Sequence, residues 1–323
     1  MKEVLLFMTD FYGYDSHIVR EIEKCGCSVT RFLDKVQLRS IERIITKFDK
    51  KYAEKKFDKY IKDSLQKVKD KKFDEVLIIF GAVYFRKKHI RDIRSMFPDA
   101  KIVYYAWDSV ENFPLIKSLY EEADISFSFD MEDAKKYEVN FLPLFYINNV
   151  DRKLVPKYDV STVMSFFVEK FESLKRLNDI LPSNIRKKLY LRIRDRLYYY
   201  KIKIFNPEIV DLFGSDFQYQ SLSHQEVMDI FLNSVAVIDC PLPNQSGLTM
   251  RTFEVLALKR KLITTNSNIE KYDFYSPDNI FIVRDETCLP SDFLLTPFNE
   301  QYSLSERYSL HNFIKTLLLE EWR

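Results

Sequence analysis

The polar segment that ends near residue 254 carries the residue types of an anion-binding site. It follows an apolar run over 235–239 and leads into a short predicted helix that begins at Arg251. The loop brings the backbone N–H groups of Ser246, Gly247, Leu248 and Thr249 to the N-terminus of this helix. A helix N-terminus attracts phosphate through its unsatisfied N–H donors and its dipole. Arg251 can add a bidentate charge to the same anion, so the segment predicts a phosphate site.

The carboxylate of Glu254 lies one helical turn beyond Arg251 in the same predicted helix. It accepts hydrogen bonds and donates none, which suits the neighbouring hydroxyls of a ribose better than a phosphate. The chain contains neither the GxGxxG motif of dinucleotide-binding enzymes nor a P-loop. The segment therefore predicts a site for a nucleoside diphosphate that is built without those motifs.

This segment resembles the donor-binding segment of GT-B glycosyltransferases, especially the single-chain bacterial group related to spore-maturation-type and surface-polysaccharide transferases. The stretches that carry the resemblance are Arg251-Thr252-Phe253-Glu254, Leu256-Ala257-Leu258 and Ile263-Thr264-Thr265. The resemblance implies that Glu254 binds the ribose of a nucleotide-sugar donor and that the loop 246–249 binds its diphosphate. Ser246 stands where retaining families with paired glutamates carry an acid, which argues against that subgroup.

The stretch DVSTVMSFFVEKFESLKRL resembles the strand, loop and helix that open the donor domain of these enzymes. Ser165 ends the predicted strand, and Lys170 occupies the basic position that meets donor phosphate in the family. The competing interpretation is a lysine that simply begins a solvated helix. The resemblance thus implies that Ser165 and Lys170 join the donor site.

An inverting transfer requires a base near the acceptor hydroxyl, and the first half of the chain offers candidates. They are Asp10, Asp108 and His17. Both aspartates follow predicted strands, so we expect them at the carboxyl edge of the first sheet. The loop beside Asp10 is open and aromatic, with Tyr12, Gly13 and Tyr14. Aromatic faces suit a sugar ring, which favours Asp10; the structural alternative is that the aspartates cap helices and the histidine is a surface or core residue.

No Asp-x-Asp pair occurs, and the four histidines have no ligand spacing with each other or with the cysteines. Enzymes that hold a nucleotide through a divalent metal require such carboxylates, so the sequence predicts a reaction without metal. No cofactor is expected beyond the nucleotide-sugar co-substrate. The cysteines are interpreted as reduced thiols in or near the core: Cys25, Cys27, Cys240 and Cys288.

Short apolar runs alternate with amphipathic stretches, the pattern of parallel sheets covered on both faces. In the first half, strands are predicted over 4–8, 28–32, 75–80, 101–106, 125–129 and 140–144. Helices are predicted between them over 16–25, 38–69, 87–96, 114–121 and 131–137. In the second half, strands are predicted over 160–165, 209–213, 235–239, 262–265 and 280–283. Helices are predicted there over 170–181, 223–232, 251–258 and 304–320.

A charged stretch without periodicity, residues 148–158, is interpreted as a linker. With 323 residues the chain is long enough for two domains. The prediction is an α/β protein with two Rossmann-like domains facing a cleft, the GT-B arrangement that the resemblance implies. Its parts are an acceptor-side domain over 1–150, a donor-binding domain over 158–300 and a C-terminal helix over 301–323 that crosses back over both domains.

Residues 184–203 hold eight Lys and Arg against one Asp, and tyrosines interleave with these cations. One interpretation of 184–205 is a surface that rests on anionic lipid headgroups and presents the enzyme to a lipid-linked acceptor. A second is contact with RNA or DNA, and a third is a solvated helix followed by an edge strand. No apolar run approaches the ~20 residues of a membrane span, and the N-terminus lacks a cleavage signal. A cytoplasmic protein is therefore expected, peripheral at the inner face of the plasma membrane if the first interpretation holds.

Together these features predict a glycosyltransferase that moves a sugar from a nucleotide-diphosphate donor to a hydroxyl of a lipopolysaccharide or capsule acceptor. One alternative is a non-catalytic α/β protein that binds a nucleotide or a protein partner on the same scaffold. The less favoured alternative is a nucleic-acid-binding protein that uses the basic tracts.

Overall fold

The structure is a computed structural model that describes residues 1–10, 12–36, 38, 42, 45–46, 49–80, 83–147, 154–242, 245–284 and 288–318. The chain divides into two compact units, one comprising Met1–Leu144 with Leu310–Arg323 and the other Phe145–Ser309. The division falls ahead of residue 148, where the predicted linker begins, and residues 148–153 lie outside the described residues. Within the described ranges no helix is long and apolar enough to cross a membrane.

The described residues of the first unit form a six-stranded sheet in which neighbouring strands are parallel. The strands are β1 (Lys2–Met8), β2 (Cys27–Phe32), β3 (Glu75–Ile79), β4 (Lys101–Ala106), β5 (Ile125–Ser128) and β6 (Asn140–Phe141). Their order across the sheet is β2-β1-β3-β4-β5-β6. Every residue of β3 is buried, as expected for a parallel strand covered on both faces.

Helices connect these strands: α1 (Tyr14–Lys24), α2 (Lys50–Gln66), α3 (Lys87–Met96), α4 (Leu115–Tyr120) and α5 (Met131–Lys136). In α2 the buried residues Phe57, Ile61 and Leu65 recur every four positions and face the core. Lys59 and Lys62 between them are exposed. Most of the predicted helix 38–69 ahead of α2 lies outside the described residues.

The second unit contains a second six-stranded parallel sheet among its described residues. Its strands are β7 (Tyr158–Ser165), β8 (Lys187–Arg192), β9 (Phe217–Gln218), β10 (Ser234–Asp239), β11 (Lys261–Thr264) and β12 (Ile280–Ile282). Their order is β12-β11-β10-β7-β8-β9. The helices are α6 (Phe171–Asp179), α7 (Arg196–Phe205), α8 (Pro207–Phe213), α9 (His224–Leu232) and α10 (Met250–Ala257). The prediction of an α/β chain with two Rossmann-like domains is confirmed.

The last helix, α11 (Leu310–Leu317), returns to the first unit and packs against α1. His311 Nδ1 lies 2.9 Å from Glu21 Oε1, and the ring of Phe313 meets Tyr105 edge-on with centroids 4.9 Å apart. The helix predicted over 304–320 is thus confirmed over a shorter range. Its apolar stripe is buried on the first unit.

Residues 209–213, predicted as a strand, belong instead to helix α8. Ile209 and Phe213 are buried one helical turn apart, whereas Leu212 is exposed, and this spacing fits a helix rather than a strand. Asn206 precedes the helix and Pro207 occupies its first turn, where a missing N–H does no harm. The interpretation of 184–205 as a helix followed by an edge strand is also wrong. Strand β8 comes first and lies inside the sheet, and helix α7 follows it.

Candidate functional site

The strand order of the second unit reverses between β7 and β10. The chain fills one side of the sheet with β7, β8 and β9 and then the other side with β10, β11 and β12. Open α/β sheets bind ligands beyond the carboxyl ends of their strands, at such a reversal. Ser165 and Asp239 end the two strands concerned. The loop predicted to hold phosphate follows one of these strands, and Lys170 follows the other.

Asp239 fixes the start of helix α10 to the end of strand β10. Its carboxylate is buried and accepts hydrogen bonds from Thr249 Oγ1 at 2.7 Å and Thr252 Oγ1 at 3.0 Å. It also pairs with Arg251 Nη1 at 2.6 Å. A buried carboxylate is tolerated when paired and hydrogen-bonded in this way. The approach of the loop to the helix is therefore set by Asp239.

Arg251 bridges the two strands at the reversal. Its Nη1 is bound by Asp239 on β10, and its Nη2 donates to the carbonyl of Val163 on β7. Its Nε is buried and has no hydrogen-bond partner within the described part of the chain. The guanidinium predicted to bind a phosphate is thus already paired with the carboxylate of Asp239. The assignment of Arg251 to the diphosphate stays a prediction.

Lys170 supplies a second cation at the same place. Its Nζ donates to the carbonyl of Cys240 at 2.9 Å. Burial, and then the nearby charge of Arg251, lower the pKa of Lys170. Burial also raises the pKa of the Cys240 thiol to about 11, so this neighbour adds no negative charge at neutral pH. Arg251 is paired with the carboxylate of Asp239, and Lys170 adds a second positive charge near Arg251, which leaves this edge of the sheet attractive to an anion.

The loop ahead of α10 is held by Asn266. Its Nδ2 lies within hydrogen-bond distance of the carbonyls of Ser246 and Gly247, at 3.1 and 3.2 Å. Leu248 is buried and anchors the loop on the core side, and Thr249 is the N-cap residue of α10. Because the carbonyls face Asn266, the path of the loop into the helix is fixed. Residues 243 and 244 lie outside the described residues.

Glu254 is buried, and its Oε1 lies 2.8 Å from Nε2 of His224. His224 is the first residue of α9, a helix that begins with a capping box formed by Ser223 and Glu226. The position of His224 is therefore well defined, and with it the orientation of the carboxylate. The ribose role of Glu254 stays a prediction.

Strand order in the first unit reverses between β1 and β3, and Asp10 follows β1. Asp10 is exposed. Tyr12 and Gly13 both adopt the left-handed region, with φ of 49° and 79°, which turns the chain sharply into α1. Tyr14 is buried against Trp107, and His17 is half-buried on α1. The predicted acceptor-side loop thus lies at the reversal point of its sheet.

Asp108 follows β4 and is more enclosed than Asp10. Its Oδ1 accepts hydrogen bonds from the backbone N–H of Ser109 at 2.8 Å and from Asn112 Nδ2 at 2.9 Å. Burial, and also the charge of Asp130, raise the pKa of Asp108. The carboxylate is therefore a stronger base than an exposed aspartate, but it is held by the turn that follows its strand.

Sequence reasoning missed Asp239, His224 and Asn266. The sequence contains a pattern that points to Asp239: an acid at the end of a buried strand, followed by the threonines and the arginine that it binds. No such pattern points to His224 or Asn266, since each contacts a segment at least about twenty residues away in the chain. Among the described residues, no group of three or more His, Cys, Asp and Glu could hold a metal ion.

No protein-family model matches the chain, and no curated protein matches it in sequence. Solved structures match over the full length. The lipopolysaccharide outer core galactosyltransferase WaaB, in its apo form, has a TM-score of 0.60 and 13% identity, covering 99% of this chain and 100% of that one. HepE of Anabaena in complex with UDP-glucose has a TM-score of 0.60 and 10% identity, covering 100% of both chains.

The UDP-GlcNAc 2-epimerase of Methanocaldococcus jannaschii, in complex with UDP-GlcNAc and UDP, has a TM-score of 0.55 and 12% identity, covering 100% of both chains. At such low identity a structural match establishes the fold alone. The two parallel sheets and these matches identify the chain as a GT-B fold protein.

Proposed function

We propose that the chain is a glycosyltransferase that uses a nucleotide-diphosphate sugar. The observation that carries the proposal is the excess positive charge at the reversal point of the second sheet. There Arg251 is paired with the carboxylate of Asp239, and Lys170, whose ammonium donates to the carbonyl of Cys240, adds a second positive charge close to the N-terminus of α10. A diphosphate is the donor group that this charge and the N-terminus of α10 suit best.

The other parts of the donor follow from the same elements. We assign the diphosphate to Lys170 and to the N–H groups of the loop 246–249, and the ribose to Glu254 as oriented by His224. In this scheme Arg251 attracts the diphosphate through its positive charge without a direct contact, because its guanidinium is bound to Asp239 and to the carbonyl of Val163. Cations placed before the reaction stabilise the charge that develops on the leaving diphosphate.

In the proposed reaction an acceptor hydroxyl attacks the anomeric carbon of the sugar. A carbon–oxygen bond forms there, the bond to the diphosphate oxygen breaks, and the hydroxyl proton passes to a base of the first unit. Asp10 is our first choice, since it is exposed at the reversal point of its sheet. Asp108 and His17 are the other candidates.

We further propose that the reaction needs no metal, because Lys170 and the helix start provide the positive charge that a metal would otherwise supply. Activity should therefore survive EDTA. A complete loss of activity that is restored by manganese or magnesium would contradict this part of the proposal.

For the acceptor we propose a surface glycan such as lipopolysaccharide or capsule, built on a lipid-linked precursor in the cytoplasm at the inner face of the membrane. Two supports bear on this choice. One of the similar structures is a lipopolysaccharide outer core galactosyltransferase. The second support is an exposed helix of the second unit, which is described below.

A thermal-shift screen against UDP, GDP, CDP and dTDP tests the donor site. A nucleotide present at about 100 times its Kd should add about 2.7 kcal/mol of stability. Lys170→Gln, expected to weaken binding about tenfold, should reduce this stabilisation to roughly half, while Lys175→Gln on the exposed face of the helix that follows Lys170 should leave it unchanged. The matching nucleotide sugar is then incubated with the protein and a glycan acceptor, and the products are separated.

Transfer to the acceptor, or slow release of free sugar, supports a transferase. Conversion of the bound nucleotide sugar into its epimer would replace the proposal with epimerase activity, the activity named for one similar structure. Tight binding without any turnover across donors and acceptors would favour the non-catalytic alternative.

A further inference from the structure

Helix α7 exposes an apolar stripe on the surface of the second unit. Leu197, Tyr200 and Ile204 are spaced three and four residues apart, so they lie on one face of the helix. They are 80%, 58% and 70% exposed. Phe205 at the end of the helix is also 70% exposed. Large apolar side chains this exposed on one helix face mark an interaction surface rather than scattered surface residues.

The opposite face fixes the helix on the unit. Ile202 is buried in the core, and Tyr198 and Tyr199 pack partly against it. Asp195 caps the helix by accepting a hydrogen bond from the backbone N–H of Tyr198 at 2.7 Å. The stripe therefore faces outward in a set orientation.

Exposed cations flank the stripe on both sides. At 100° per residue, Lys201 lies on one side of it, and Arg196 and Lys203 lie on the other. None of these three cations forms an ion pair within the residues that the structure describes. An apolar stripe between unpaired cations is the pattern of a helix that lies in the interface of an anionic bilayer. The stems of the cations can cover apolar surface while their charges reach lipid headgroups.

We propose that α7 docks the protein on a bilayer that contains anionic phospholipids. Within the basic tract 184–205, the proposed docking surface comprises only helix α7, because strand β8 lies inside the sheet. Beyond α7 the surface turns acidic, with exposed Glu208 and Asp211 on α8, so the docking surface ends there. Docking of α7 on a membrane is the second support for the lipid-linked acceptor in the proposed function. The test of the docking does not require enzyme activity.

Nucleic acid fits this surface less well than lipid. Single-stranded nucleic acid is held by aromatic rings on which bases stack. Here Tyr200, at 58%, is the exposed member of the three consecutive tyrosines, and the neighbouring exposed residues include the aliphatic Leu197 and Ile204. Branched aliphatic side chains insert among acyl chains and offer no stacking face.

The test is co-sedimentation of the full-length protein with two kinds of vesicle, phosphatidylcholine alone and a ~3:1 mixture of phosphatidylcholine and phosphatidylglycerol. The protein should bind the anionic vesicles and leave them as the salt concentration rises. The double variant Leu197→Ser/Ile204→Ser should weaken vesicle binding by roughly tenfold or more. Lys201→Gln/Lys203→Gln should weaken binding to a similar extent, since each cation near the surface contributes roughly fivefold.

Leu295→Ser is the matched control, because Leu295 is 83% exposed elsewhere in the same unit. It should leave vesicle binding unchanged. Equal binding to both vesicle types, or wild-type binding by both double variants, would overturn the proposal. So would a stable dimer that Leu197→Ser/Ile204→Ser dissociates, or binding of RNA without binding of vesicles. Nucleotide affinity is measured on the same samples, so a failure of the donor site is recognised separately.

Discussion

The two reversal points of the molecule hold their ionisable groups in opposite ways. In the second unit, Asp239 and Arg251 are locked together and to the neighbouring strand, and Lys170 stands beside them. In the first unit, Asp10 is exposed on the loop that leads into α1. A locked group of charges suits binding of a fixed anion, while an exposed carboxylate is free to accept a proton. In the proposed function, the same sheet topology thus provides a diphosphate-binding edge in the second unit and a candidate base in the first.

The comparison predicts that removing a carboxylate has different consequences in the two units. The largest effect is expected for Asp239→Asn, which leaves the partly buried charge of Arg251 unpaired. We expect a loss of about 3 kcal/mol in the free energy of unfolding, together with loss of nucleotide binding. Chemical denaturation measures the first quantity and calorimetry the second.

The control for this prediction is Asp159→Asn, which breaks the surface pair of Asp159 with Arg186. It should change stability by less than about 1 kcal/mol. Equal stability of the two variants would show that the network around Asp239 does not organise the site.

In the first unit the same change at Asp10 should spare stability and remove turnover. Asp10→Asn should keep its melting temperature and its nucleotide affinity but transfer sugar at least about a hundredfold more slowly. Loss of a helix cap, by contrast, would lower stability by about 1 kcal/mol and leave turnover intact. Turnover near that of the wild type in both Asp10→Asn and Asp108→Asn would point to His17 or to a mechanism without such a base.

Lys170 gives the binding edge a pH dependence. Because a diphosphate is held by the ammonium form, its affinity should be full below the pKa of Lys170 and fall as the pH rises through that pKa. Burial lowers that pKa, so the fall should begin at a lower pH than for an ordinary lysine. Lys170→Gln should bind the diphosphate about tenfold more weakly with no such fall.

Lys170→Arg is the control for the pH dependence, since it keeps the charge at every accessible pH. Titration calorimetry of the three proteins at several pH values makes the comparison. A wild-type affinity that does not vary with pH would remove Lys170 from the diphosphate site.

The smallest effect concerns Asp108. Burial raises the pKa of its carboxyl group. The folded protein therefore holds this proton to a higher pH than the unfolded chain, and ionisation destabilises the fold as the pH rises above about 4. Asp108→Asn removes this penalty. Its melting temperature should be slightly higher than that of the wild type at pH 7 and equal to it at strongly acid pH. A lower melting temperature at pH 7 would show that the charged form is needed by the turn.

Most of the fold was predictable because its elements repeat simple patterns. Strand β4 and helix α3 have the predicted bounds, since β4 is a short apolar run and α3 is an amphipathic stretch with Ile90 and Ile93 on its buried face. Strand β8 was missed because its lysines concealed the alternation that buries Leu189 and Leu191. The apolar residue types of 209–213 predict a strand, whereas the spacing of the buried Ile209 and Phe213 is that of a helix.

The site was predictable only in part. The loop 246–249 and Lys170 stood out because each follows a strand and precedes a helix. The partners that control them did not stand out. Asp239 is linked to Arg251 by a contact formed only when α10 folds back on β10, and His224 reaches Glu254 from another helix. Such pairings depend on packing between elements, which no local pattern records.

The central claim is that the binding edge of the second unit holds a nucleoside diphosphate. The most direct measurement is a crystal structure of the protein with the nucleotide that gives the largest thermal shift. The account predicts the diphosphate within hydrogen-bond distance of Lys170 Nζ and the N–H groups of the loop 246–249, with the ribose on Glu254. A nucleotide bound away from this edge, or a ribose without contact to Glu254, would contradict it.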